Sequence, residues 1–216
     1  MESKRSKEVF EWLVCILIAL IIVACIKTFV GFPTVVSGES MDSTLKDGQR
    51  LWVSRIGVKI NKYPERGDII TFEAPDASHL YQSKVEADLN NPVAKYNENK
   101  KNILQKVISA VSIFGKTDFV KRVIGLPGDH VEIKEGAVYL NGEKLNEPYL
   151  DNGKVTNSEG GLFIDIIVPD GYVYVLGDNR DNSTDSRRFG CIPTNKIEGR
   201  AVWRFWPLNK WKVLNK

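Results

Sequence analysis

Val131-Glu132-Ile133-Lys134-Glu135-Gly136-Ala137-Val138-Tyr139-Leu140-Asn141-Gly142 is the stretch that decides the fold class. Two short runs rich in strand-forming residues flank Glu135-Gly136, a dipeptide suited to a tight hairpin, and Asn141-Gly142 marks the next turn. The same pattern recurs on either side. Leu51-Trp52-Val53 follows the turn signal Lys46-Asp47-Gly48, and residues 69–72 follow Arg66-Gly67-Asp68. Residues 119–124 read as a further strand closed by Leu126-Pro127-Gly128-Asp129, and residues 172–176 and 200–205 complete the set. Short strands punctuated by Gly, Pro, Asn and Asp imply a mainly β, antiparallel domain of barrel or sandwich type.

One segment interrupts the strands. Residues 74–118 begin polar and rich in Asn and Lys, with a turn near Asn90-Asn91-Pro92. Ile103, Leu104, Val107, Ile108, Val111 and Phe114 then fall on one helical face, so this insertion is expected to be partly helical. Such a helix suits packing on the β domain or lying on a membrane surface, and the sequence leaves both open.

The N-terminus carries a different signal. Residues 12–26 contain no charge, and the apolar run continues past Lys27 to Phe32. Residues 12–32 are long enough to cross a hydrocarbon core, which needs about 20 residues, and Lys27 sits where its stem reaches the interface. A cleaved signal peptide is the competing reading, but no Ala-x-Ala exit follows the run. Ile22-Val23-Ala24-Cys25 only loosely fits a lipid-attachment site, because the residues after it stay apolar. Lys4, Arg5 and Lys7 place residues 1–11 in the cytoplasm and residues 33–216 outside.

The remaining composition excludes several classes. At 216 residues and a net charge of +3, the chain has no general affinity for nucleic acid. Three cysteines, two of them in the apolar run, exclude a disulfide framework. His79 and His130 lack further ligands at metal spacing, so no metal or other cofactor is expected.

Three stretches remain that scaffold alone does not explain. Gly38-Glu39-Ser40-Met41 sets a serine on a tight backbone, although a lone Gly-x-Ser is most often a surface turn. On the strand at residues 119–124, Lys121 shares a face with Phe119 and Val123 while Arg122 takes the other. A lysine buried there has a lowered pKa, whereas a lysine at a sheet edge simply reaches water. Residues 177–190, GDNRDNSTDSRRFG, are dense in small polar side chains, which a solvent loop also accommodates. Trp203, Phe205, Trp206 and Trp211 suit either an interfacial belt or a core cluster.

Taken in order behind an apolar N-terminal run, these three motifs resemble type I signal peptidase, in a Gram-positive-like single-span form. Residues 66–72 resemble that family's intervening strand, and Arg204-Phe205-Trp206-Pro207-Leu208 is similar to its usual end. The resemblance implies a bacterial plasma-membrane serine endopeptidase with a β-rich domain. Its substrates would be secretory preproteins cut after a small-x-small site, and its surroundings the bilayer and the protein translocase. By motif position it implies Ser40 as nucleophile and Lys121 as general base, with Ser183 orienting the lysine. It also implies structural pairs between Asp178 and Arg122 and between Asp185 and Arg187.

Elementary chemistry agrees with those roles. A serine hydroxyl needs a base within hydrogen-bond reach, and the motifs contain no histidine, which leaves a neutral lysine. The chain departs from many relatives at Gly38, where they carry a serine that donates to the oxyanion. A serine restored at this position is expected to be tolerated. Two readings of other classes stay open: a silent anchored β domain that binds exported proteins, and a self-processing Ser/Lys protein.

Overall fold

The computed structural model describes residues 2–60, 62, 64–76, 88–96, 118–151, 154–158 and 160–214. The amphipathic segment at residues 103–114 lies outside them. Helix α1 (Glu2–Cys25) runs on through a π-helical turn, Ile26–Val30, and Lys7–Val30 is long and apolar enough to cross a membrane. None of that apolar window is buried against the rest of the protein. The apolar run reaches Phe32, but the helix stops two residues earlier. Gly31 and Phe32 pair with Ser54 and Val53, and so belong to strand β1 (Gly31–Val35). Hydropathy cannot distinguish the last residue of a span from the first buried residue of a strand.

The rest is mainly β. The larger sheet contains β1, β2 (Arg50–Ser54), β3 (Ile69–Glu73), β4 (Asp118–Gly125), β9 (Tyr172–Leu176), β10 (Ile192–Pro193), β11 (Ile197–Trp206) and β12 (Lys212–Val213). Its spatial order is β1-β2-β11-β3-β4-β9-β10, with β12 on β11. The smaller sheet contains β5 (His130–Lys134), β6 (Ala137–Leu140), β7 (Glu143–Lys144) and β8 (Asp165–Ile167), ordered β7-β6-β5-β8. Pairing between the named strands is antiparallel throughout. The β5–β6 turn has φ of 51° at Glu135 and 72° at Gly136, as a two-residue hairpin turn with matched twist requires.

Three apolar clusters hold the layers. Val131, Val138, Phe163, Ile166 and Tyr174 join the small sheet to β9. Ile70, Phe72, Val123, Val175, Phe189 and Ile192 cover one face of the large sheet. Met41, Leu45, Leu51, Ile69 and Ala201 cover the other. Met41 and Leu45 are almost fully buried, and each such side chain contributes about 2 kcal/mol. They therefore pin the turn that carries Ser40. Trp203, Trp206 and Trp211 are exposed, and Trp203 lies 6.3 Å from Trp52, centroid to centroid, so these tryptophans form no core cluster.

Two features of register position the site. Strand β4 pairs with β3 along residues 118–122 but with β9 only from Arg122 onward, leaving residues 118–121 with one open edge. One row of paired residues also crosses the sheet: Gly31, Ser54, Arg200, Ile70 and Lys121. Four interstrand steps of about 4.8 Å place Lys121 about 19 Å from the end of the apolar helix.

Candidate active site

The Ser40 turn and the open edge of β4 meet at a groove of about 430 Å³. Val36, Met41, Phe119 and Val120 supply its apolar wall, and Asn182, Ser183 and Thr184 its polar one. Lys121 Nζ donates to Ser40 Oγ at 2.6 Å. Lys121 is only 4% exposed, and its amine sits 5.1 Å from the centroid of the Phe119 ring. It is therefore not a lysine that escapes to solvent at a sheet edge. Burial lowers its pKa from 10.5 to about 8, opposed by the negative charges of Asp185 and Asp178.

Each of those carboxylates is held by an arginine in two-pronged geometry. Arg122 Nε donates to Asp178 Oδ1 at 2.8 Å and its Nη2 to Asp178 Oδ2 at 2.6 Å. Arg187 reaches Asp185 Oδ1 and Oδ2 at 2.8 and 2.9 Å. Both carboxylates are fully buried, so the arginines compensate charges that would otherwise hold Lys121 protonated. Asp178 also accepts from Thr44 Oγ1 at 2.5 Å, and Asp185 from the backbone of Gly177 at 3.1 Å.

The 177–190 segment grips the Ser40 turn directly. Asn179 N donates to the Ser40 carbonyl at 3.0 Å, and Asn179 Nδ2 to the Glu39 carbonyl at 3.1 Å. Asn182 Nδ2 donates to Glu39 Oε2 at 3.1 Å. Gly177 is required by close approach: a Cβ there would lie 2.5 Å from the Ser40 carbonyl oxygen and 2.2 Å from Ser183 Oγ. Ser183 does line the groove, but its buried hydroxyl has no hydrogen-bond partner among the described residues. The bond from Lys121 to Ser183 that the family resemblance implies is absent, and the amine contacts Ser40 instead.

Gly38 differs from expectation for a backbone reason. It has φ of +88°, with its N–H donating to Asp47 Oδ1 at 2.8 Å. A Cβ would meet nothing within 4 Å, so space is available, but the backbone angle disfavours any L side chain. The expectation that serine is accepted there is corrected accordingly. Cys191 lies outside this chemistry, since burial pushes its thiol up to about 12.

Sequence reasoning assigned no role to Glu147, Tyr149 or Arg180. Arg180 is fully buried, donates to the Gly177 carbonyl at 2.9 Å and pairs with Glu147. Glu147 and Tyr149 sit between strands, in a loop without periodicity, so only their tertiary contacts mark them.

A serine hydroxyl on a buried, readily deprotonated lysine, beside an open strand edge, is equipped for hydrolysis of an extended peptide. Comparisons with known proteins give the family. The family described as "Signal peptidase, peptidase S26" matches residues 9–206. Signal peptidase IB of Staphylococcus aureus (strain COL) is 34% identical over 96% of this chain and 94% of its own length. Signal peptidase I of Bacillus licheniformis is 32% identical with the same coverage. A crystal structure of a signal peptidase I from Enterococcus faecalis V583 shares 27% identity, covers 64% of this chain and 97% of its own, and has a TM-score of 0.38. The chain belongs to the signal peptidase family, peptidase S26.

Proposed function

We propose that this chain is a membrane-anchored serine endopeptidase that removes N-terminal signal peptides from exported preproteins, with Ser40 as nucleophile and Lys121 as general base. The observation that carries the reading is the 2.6 Å contact between Ser40 Oγ and a lysine amine buried to a pKa of about 8. Lowering the pKa from 10.5 to about 8 raises the neutral share of the amine about three-hundred-fold near neutral pH.

In this mechanism neutral Lys121 takes the Ser40 proton as Oγ attacks the scissile carbonyl. The backbone N–H of Ser40 donates to the oxygen that becomes negative. The lysine then passes its proton to the departing amine, leaving an acyl-enzyme. Lys121 next deprotonates a water that releases the acyl group, and the proton returns to Ser40 as its Oγ leaves. Ser183, whose hydroxyl is buried in the same wall, is the candidate for orienting the amine during turnover.

The substrate reading follows from the groove. An extended peptide added to the open edge of residues 118–121 directs alternate side chains at the same wall. Val36, Met41 and Val120 crowd that wall, which favours a small-x-small cleavage site. The site lies about 19 Å along the sheet from the end of the helix, within reach of a chain leaving its own apolar core. The basic residues before the span put the N-terminus in the cytoplasm and the β domain outside, beside the bilayer and the translocase exit.

The test is to incubate the detergent-solubilised chain with a preprotein bearing an Ala-x-Ala site. Cleavage is expected, with kcat/KM rising through about pH 8, and with Ser40→Ala and Lys121→Arg both inactive. Lys121→Arg retaining more than a few per cent of activity refutes the base assignment, and no cleavage by the unsubstituted chain refutes the reading as a whole.

A further inference from the structure

Arg122 directly follows Lys121 on β4, and its guanidinium is fixed on two sides. In its plane it grips Asp178 and donates to the Gly67 carbonyl at 2.8 Å and to Thr44 Oγ1 at 3.2 Å. Over its face lies the Tyr149 ring, 3.9 Å from the guanidinium carbon to the ring centroid. The contacts continue beyond the ring. Tyr149 Oη donates to Glu147 Oε1 at 2.6 Å, and Glu147 pairs with buried Arg180. Arg180 also bonds Thr156 Oγ1 and donates to the Gly177 carbonyl at 2.9 Å. Gly177 in turn packs against Ser40. A single chain of contacts thus runs from the residue beside the lysine to the residue beside the serine. Further along from Tyr149, Asp151 Oδ2 accepts from Ser43 Oγ, in the turn after Ser40, at 3.2 Å, and Lys154 Nζ donates to the same hydroxyl at 3.2 Å.

We infer that Glu147 and Tyr149, with Asp151, Lys154 and Thr156 beyond them, form a strap holding the Lys121 strand and the 177–180 loop in register, and that Tyr149 is its positioning residue for the lysine. This inference rests on the reading of Lys121 as the base. The physical argument is that the ring shields the Arg122–Asp178 pair from water and holds Arg122 on its carboxylate. Removing the ring opens the face of the Arg122–Asp178 pair to water, which weakens the pairing that masks the charge of Asp178, and admits water beneath β4. Both changes favour the charged amine, so their effects on Lys121 have the same sign. The charged groups around Lys121 are Asp178 and Asp185 with their partners Arg122 and Arg187. Glu39, Asp181 and Arg188 line the groove beyond. Burial and the Glu147 carboxylate push the Tyr149 hydroxyl well above its usual range, so it remains a neutral donor throughout.

The experiment is the pH profile of preprotein cleavage by the full-length chain in detergent, comparing the unsubstituted protein with Tyr149→Leu and Tyr149→Phe. Tyr149→Leu is expected to move the kcat/KM midpoint up by about half a unit or more with KM unchanged. That shift corresponds to about a threefold loss near pH 7 that is recovered near pH 10, a recovery that general damage to the fold does not produce. Tyr149→Phe keeps the ring and is expected to keep the midpoint. Should the leucine variant fail to fold, Tyr149→Met, which keeps apolar bulk without a ring, is read in the same way. A midpoint unmoved in the ring-less variant, or moved equally in Tyr149→Phe, overturns the strap alone. Absence of any midpoint below about pH 10 in the unsubstituted chain overturns the base assignment and the strap with it.

Discussion

Replacing Lys121 with methionine should abolish cleavage and yet stabilise the protein. Burial holds the native pKa at about 8, well below the ordinary value of 10.5 that the unfolded chain keeps. At about 1.4 kcal/mol per unit, a protonated Lys121 costs the native state about 3 kcal/mol. The sign follows from proton counting. Between these two values the unfolded chain binds more protons than the native one, so stability rises with pH across that window. Below the native value both states are protonated, and the full cost persists. Methionine fills similar space without charge, but loses the hydrogen bond to Ser40, worth about 1 kcal/mol. The net gain near pH 7 is therefore about 2 kcal/mol, or about 4–8 °C in Tm for a chain of this size. By about pH 10 the native protein has recovered most of the cost through deprotonation, and the advantage of methionine disappears. Urea unfolding of the full-length chain in detergent, followed by tryptophan fluorescence at the two pH values, measures both quantities. Equal stability near pH 7, or a difference that does not change with pH, would refute the claim that Lys121 is a buried amine of lowered pKa.

Other perturbations probe the backbone and the span. Gly38→Ser should lose about 1 kcal/mol of stability without raising kcat, because φ of +88° strains any L residue; denaturant midpoints and initial rates check this. Gly177→Ala should lower kcat at least a hundredfold, since its methyl would sit 2.5 Å from the Ser40 carbonyl oxygen; a variant with kcat within threefold of normal contradicts that contact. Protease added outside intact cells should digest the β domain and spare the residues before the span. A C-terminal tag protected until lysis would reverse the orientation read from Lys4, Arg5 and Lys7.

Much of the architecture is local information. The strands at residues 69–72, 119–124, 131–134, 137–140 and 172–176 are each a short apolar run between turn residues, and each appears in the structure. Turn chemistry and strand preference act over a few neighbours, so they can be read along the chain. Strand β1 escaped because its first residues continue the apolar run of the helix, and β8, β10 and β12 because two or three residues carry no period. The motifs that carry the family resemblance are likewise linear, and family membership was legible from their order alone.

The chain of residues therefore determined a mainly β domain behind an apolar span, and which serine and lysine to examine. It could not determine whether Lys121 meets water or Ser40, because a strand face is buried or exposed only by what packs on it. Tertiary structure decided that the amine is buried, and that the two neighbouring carboxylates are each occupied by an arginine. It also decided that Gly38 has a backbone angle unsuited to serine, and that Tyr149 and Glu147 join two motifs 55 residues apart, counted from Arg122 to Gly177. Each of these is a relation between residues distant in sequence, set by strand register and close packing, and neither composition nor spacing encodes it at any single position.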